Sequence, residues 1–76
     1  MRPAAALAQR ILDRYDAMPR GERRLADLML EHPAAILHHS ASELAGRVGV
    51  SKATAARFFR RLGYPSLRAA KHDAAN

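Results

Sequence analysis

Cysteine is absent, so no disulfide can staple the chain and no cysteine-based metal site can form. Tryptophan is absent too, and two Tyr and two Phe are the whole aromatic complement. That is too few for a surface that stacks unpaired bases, which places RNA binding a distant third among the possible functions. No run of about 18 apolar residues occurs, so nothing reads as a membrane span. β-Branched residues are confined to Ile11, Ile36, Val48, Val50 and Thr54, which leaves no segment that looks like a strand. Internal repeats and low-complexity linkers are missing as well. The basic, alanine-rich start faintly suggests a signal peptide, but its apolar stretch is short and runs on into the amphipathic segment Ile11–Tyr15, which argues against a targeting role. Zero cysteines and no secretion signal fit a cytoplasmic protein of bacterial type.

What remains is small. The 76 residues allow a single domain spanning 1–76, with the ends at 1–3 and 74–76 expected to fray. Half of the chain is apolar, but 17 of those residues are alanine. Only 20 residues (Val, Ile, Leu, Met, Phe, Tyr) can fill a core. A core of that size is marginal, so help is expected from self-association or from a larger parent chain.

The charge is unevenly placed. Lys and Arg number 13 against 7 Asp and Glu, a formal charge of +6. Residues 1–43 are balanced, whereas residues 44–76 carry Arg47, Lys52, Arg57, Arg60, Arg61, Arg68 and Lys71 against Asp73 alone. A basic block on one part of a small domain is the electrostatic footprint of a nucleic-acid binder. A merely solubilising surface would mix its signs, as the first half does.

Helical periodicity dominates the pattern. Leu7, Ile11, Leu12, Tyr15 and Met18 recur at spacings of three and four, predicting a helix over Ala4–Met18. Pro19 and Gly21 punctuate the chain. Leu25, Leu28, Met29 and Ile36 then continue the apolar pattern, with a second helix from Gly21 to His32 and a short helical turn over Pro33–Leu37. Ser40 to Glu43 matches a capping box and starts a helix that Gly49 ends. Ser51 caps Lys52–Leu62, Gly63 suits its left-handed end and Pro65 prevents continuation. Ser66 caps a last helix from Leu67 to Asp73.

The segment Ser42–Leu62 has the form of a helix-turn-helix. Ala45 is small where the second helix crosses the first, and Gly49 can take positive φ in a tight turn. Leu44, Val48, Val50, Ala55, Phe58 and Leu62 supply apolar contacts, with Val50 expected to be buried in the turn. The opposite face of the second helix carries Lys52, Ala53, Ala56, Arg57 and Arg60. Ala53 and Ala56 allow close approach to base edges, and Lys52 and Arg57 can reach guanine O6 and N7. Ser51, Lys52, Ala53, Ala56 and Arg57 are therefore the base-reading candidates. Arg60 and Arg61 lie further along and suit phosphates, as do N–H groups and side chains near Ser40, Ser42 and Thr54. Tyr64 can hydrogen-bond a phosphate or simply close the turn after Gly63, and Lys71 adds a cation for the backbone. Phe58 belongs to the core stripe. Phe59 is offset from it and packs either on the last helix or on a partner.

These residues carry a resemblance. The segment from about Ile11 to Lys71 resembles the N-terminal domain of the RpiR family of bacterial transcriptional regulators. The matching positions are Glu22-Arg-Arg-Leu-Ala26, Ile36, Ser42-Glu-Leu-Ala45, Gly49-Val-Ser51, Ala53-Thr54, Arg57-Phe58, Arg61-Leu-Gly-Tyr64 and Leu67-Arg68. The resemblance implies an all-α fold, a five-helix bundle with a homeodomain-like helix-turn-helix, that binds operator DNA as a homodimer and reads the major groove with the second helix of the motif. It also implies a phosphosugar effector, held by a sugar isomerase-like domain that this sequence does not contain. The chain then reads as a piece of a longer regulator, with a stand-alone reader as the alternative. Ala55-Ala56 replaces a pair of larger aliphatic residues common in the family, which implies looser packing beneath this helix.

Other chemistry finds little support. His32, His38, His39 and His72 lack the spacing of a metal set, and the adjacent pair His38-His39 diverges by about 100° on a helix. The serines have capping roles and no base beside them, so no catalytic constellation, cofactor motif or metal site is expected. The competing reading is a helical interaction or dimerisation module, in which Leu7, Ile11 and Met18 form an exposed apolar stripe on the first helix.

Overall fold

The computed structural model describes residues 3–75, which form six α-helices, one 3₁₀ turn and no strand among them. The helices are α1 (Pro3–Arg14), α2 (Arg20–Glu31), α3 (Ala35–His38), α4 (Ala41–Val48), α5 (Lys52–Arg61) and α6 (Leu67–Ala75). The bundle is thus all-α, with six helices rather than five, because the turn after Pro33 closes as the short helix α3.

Prolines set the first boundaries. The expected helix Ala4–Met18 ends early, at Arg14, and tightens into a 3₁₀ turn over Tyr15–Ala17. Met18 is extended (φ −81°, ψ 136°) because the Pro19 ring disfavours helical geometry in the residue before it. His32 leaves the helical region ahead of Pro33 for the same reason, with φ −133° and ψ 73°.

Caps set the later ones. The Ser40 hydroxyl accepts the Glu43 N–H at 3.1 Å, and the Glu43 carboxylate accepts the Ser40 N–H at 2.8 Å, the reciprocal capping box. Gly49 ends α4 at φ 73°. Ser51 Oγ accepts the Thr54 N–H at 3.0 Å to open α5. At the other end Tyr64 N–H bonds Phe59 O and Gly63 N–H bonds Arg60 O, a Schellman closure with Gly63 at φ 92°. Arg10 of α1 reaches across to donate to Leu62 O at 2.9 Å and stacks its guanidinium 4.7 Å over the Tyr64 ring. A Cβ at Gly63 would lie 3.0 Å from that guanidinium, which the flexible arginine can relieve, so it is the positive φ that calls for glycine.

The core gathers one stripe from each helix. Leu7, Ile11, Leu25, Met29, Ile36, Leu44, Phe58, Phe59 and Leu62 are buried, with Ala26, Ala45, Ala55 and Ala70 where helices approach. Phe58 and Phe59 meet edge to face, centroids 5.0 Å apart. Both can be buried because α6 covers the second side of α5, so Phe59 is a core residue. Ala55 is fully enclosed whereas Ala56 is exposed, so only the first of the two alanines contributes to packing. Val50 is only half-buried in the turn. Leu12, one residue past Ile11, points outward and is 58% exposed, because the core stripe has room for one of two adjacent residues. Ala74 is buried and α6 runs through Ala75; Met1, Arg2 and Asn76 lie outside the described residues.

Candidate nucleic-acid interface

α5 is two-faced. Ala55, Phe58, Phe59 and Leu62 fix it to the core, and Lys52, Ala53, Ala56, Arg57 and Arg60 are exposed along the opposite side. No acid lies on α5, and two methyl side chains stand between the cations. The geometry allows a close approach to a polyanion at the centre, with longer donors on both sides.

The start of the helix is organised by a short network. The Ser51 and Thr54 hydroxyl oxygens lie 3.0 Å apart, and Arg57 Nη2 donates to Thr54 Oγ1 at 3.1 Å. Thr54 is half-buried, and the N-terminal turn of α2 stands behind it: a Cβ at Gly21 would lie 3.2 Å from the Thr54 methyl. Ser40 and Ser42 are exposed at the start of α4. The Ser40 N–H holds the Glu43 carboxyl below its usual range, with help from the Ser40 hydroxyl. Lys71 lies half-buried on α6.

Two of the candidates for phosphate contact are engaged elsewhere. Arg61 turns toward α2, where its Nε donates to Glu22 Oε1 at 2.6 Å and its Nη2 to Glu22 Oε2 at 3.3 Å. Glu22 is only 1% exposed, so a two-pronged ion pair ties α2 to the end of α5. The Glu22 hydrogen bond raises the already high Arg61 pKa further, with the carboxylate's charge adding to it. Tyr64 is buried and its hydroxyl donates to Asp73 Oδ2. Burial, then the bond to Asp73, pushes its pKa up to about 12. Tyr64 closes the turn rather than facing solvent.

Glu22 escaped the sequence reading, although a signal was present. Glu22, Leu25, Ala26 and Met29 share one helical stripe, and an acid on an apolar stripe calls for a buried partner. The stripe proposed for a protein partner is corrected outright: Leu7, Ile11 and Met18 all face the core. Among the described residues no helix is long and apolar enough to cross a membrane, and no three His, Asp or Glu gather as a metal set.

The family described as the helix-turn-helix domain of the rpiR family matches residues 5–73. The chain belongs to the RpiR helix-turn-helix family. Similar proteins carry that assignment into regulators. The HTH-type transcriptional regulator YfhH of Escherichia coli K12 is 35% identical over 68 residues, 86% of this chain and 24% of that protein. An HTH-type transcriptional regulator of Thermotoga maritima is 36% identical over 61 residues, 79% of this chain and 22% of that protein. The bifunctional protein glk of Burkholderia thailandensis is 39% identical over 64 residues, 84% of this chain but 10% of that protein. The RpiR domain therefore spans between a tenth and a quarter of these relatives. In this family the module is the DNA-binding helix-turn-helix found in transcriptional regulators, and α4, its turn and α5 form it here.

Proposed function

We propose that this RpiR domain is a sequence-specific reader of double-stranded DNA that sets α5 into the major groove. The supporting observation is the outer face of α5: three cations around two alanines, free of acids and anchored from behind by two buried phenylalanines. Ser51, Lys52, Ala53, Ala56 and Arg57 face the bases, with Arg57 as the two-bonded reader of a guanine. Ser40, Ser42, Arg60 and Lys71 meet the backbone, while the Thr54 hydroxyl supports Arg57. The domain works as a homodimer on a two-fold operator, in the cytoplasm, within a longer regulator whose phosphosugar effector binds outside this chain.

Selection from random duplexes at ~150 mM salt tests the reading, since binding that is only electrostatic stays near ~10⁻⁴–10⁻⁶ M under such conditions. An enriched motif with tighter binding is the expected result. Retention that fades with salt and enriches nothing leaves only a basic surface. Against the enriched motif, Arg57→Ala lowers preference at one base position by ~1–3 kcal/mol and leaves random DNA nearly unaffected. Equal losses on both would remove Arg57 from the reading set.

A further inference from the structure

The outer face of α5 does not end at its own edge. A groove of about 210 Å³ runs from Lys52, Ala56 and Arg60 across to Pro65 and Ser66, with Ala41 and Leu67 also in its lining. A second groove shares Ala41 and Leu67 and continues past Ser40 to Arg68 and Lys71 on α6. The two residues they share, Ala41 and Leu67, are both apolar. Four cations therefore stand along two adjoining grooves, Lys52 and Arg60 on the α5 side and Arg68 and Lys71 on the α6 side. The acids nearest in the chain are engaged: Glu43 accepts from the Ser40 N–H, and Asp73 accepts from the Tyr64 hydroxyl. No acid lines either groove.

We infer that the Arg68–Lys71 edge of α6 is a separate phosphate-binding ridge, which grips the sugar-phosphate backbone of the duplex beyond the segment that α5 reads. The inference rests on the DNA-reading function proposed above. Its occupant is the same duplex, because the grooves are continuous with the α5 face and the charge lining them is wholly positive at neutral pH. A basic ridge of this kind supplies affinity and register without reading bases. Arg68 and Lys71 lie one turn apart on one face of α6, so both reach the same side of their groove. Tyr64, bonded to Asp73 and stacked under Arg10, fixes α6 against the turn that follows α5, so the ridge and the reading helix keep a set spacing.

The test compares the whole chain with its Arg68→Gln/Lys71→Gln variant on two duplexes, the enriched sequence and a random one of equal length. Glutamine keeps the helical propensity and removes only charge. If each cation neutralises one phosphate, the slope of log K against log salt becomes shallower by about 0.9 per residue. Between 50 and 200 mM salt the wild type then loses about 12-fold more affinity per bound copy than the double variant, on both duplexes alike. The charge-conserving Arg68→Lys/Lys71→Arg variant keeps the wild-type slope, which separates a charge effect from damage to α6. Arg14→Gln, a cation on α1 outside both grooves, leaves the slope unchanged. Trimming the enriched duplex on the ridge side weakens the wild type and not the double variant. An unaltered slope in the double variant, with the wild type still selecting its motif, overturns the ridge and leaves the reading helix standing. A loss confined to the enriched duplex overturns it too, since a phosphate contact is blind to sequence. A wild type that selects no motif defeats the DNA-reading proposal itself, a result distinguishable from both.

Discussion

Thr54 and Arg61 both read as phosphate contacts in the sequence, and in the fold both engage protein side chains. Each is polar and lies on α5, yet each acts on a neighbouring side chain. The Thr54 hydroxyl accepts from Arg57 and contacts Ser51, so it pre-orients a side chain that would otherwise sample many rotamers. Thr54→Val keeps the shape and removes the acceptor. The expected outcome is a smaller preference at the Arg57 base position, by a part of the ~1–3 kcal/mol that a full two-bonded contact is worth, with random-duplex affinity unchanged. Thr54→Ser retains the preference, and competition binding between the enriched duplex and its single-base variants measures both. The Glu22–Arg61 pair makes a second prediction through its asymmetry. The Arg61 side chain can swing into water when Glu22 is neutralised, but Glu22 cannot escape when Arg61 is removed, because it is 1% exposed. A carboxylate left alone in an interior is among the costliest single defects, on the order of 3–5 kcal/mol. Thermal melts should therefore rank Arg61→Ala well below Glu22→Gln in Tm. The reverse order would mean that Arg61, not Glu22, is the trapped partner.

Caps and prolines made the elements legible, because each acts within four residues of where it stands. Ser40 with Glu43, Ser51 with Thr54, and Gly49 and Gly63 at positive φ all fall where local rules put them. What local rules do not carry is contact between distant segments. Apolar spacing alone could not decide that Leu12 faces out while Ile11 faces in, nor that Phe59 is covered, since both depend on where α6 docks. The partners of Arg61 and Tyr64 lie 39 and 9 residues away, so a surface role for either was the natural reading of an isolated helix end. Tyr64 shows what the docking contributes. It joins the turn after α5 to α6, and its phenol is held neutral by burial and by donation to Asp73, with a pKa of about 12 against an ordinary 10.0. Between those two values the folded state keeps a proton that the unfolded chain releases, so stability falls as pH rises through that window. Below pH 10 the contribution is fully present. Chemical denaturation of the wild type and Tyr64→Phe across alkaline pH checks this. The wild type should lose stability between about pH 10 and 12 more steeply than the variant, which has no proton to lose there. Parallel curves would mean that the phenol is not held neutral by the fold.

At the scale of the molecule, the charge asymmetry becomes a geometry. The balanced first half supplies α1, α2 and α3, of which α2 packs against α4 and α5 while α1 and α3 pack against α6, and the basic second half supplies α5 and α6. If α5 reads DNA as proposed, a domain this small presents one reading helix, and a single major-groove contact gives limited affinity at physiological salt. Two copies on a two-fold operator add their contacts, and helix-turn-helix dimers set their half-sites about one helical turn, ~34–36 Å, apart. That spacing is a property of the dimer and can be measured through the DNA. If two α5 helices must enter the same face of the duplex, inserting about half a turn between half-sites rotates one of them to the far side and abolishes cooperative binding. Inserting a full turn restores the face but stretches the dimer, so cooperativity returns in part only if the connection between copies is extensible. Gel-shift titrations across such a spacing series read both quantities at once. A cooperative optimum at one spacing, lost at half a turn, is the outcome expected of a dimer formed by this chain itself. Indifference to spacing, with each half-site filled independently, would locate the dimer contacts outside these 76 residues and leave this domain as a reading head that a larger protein brings together.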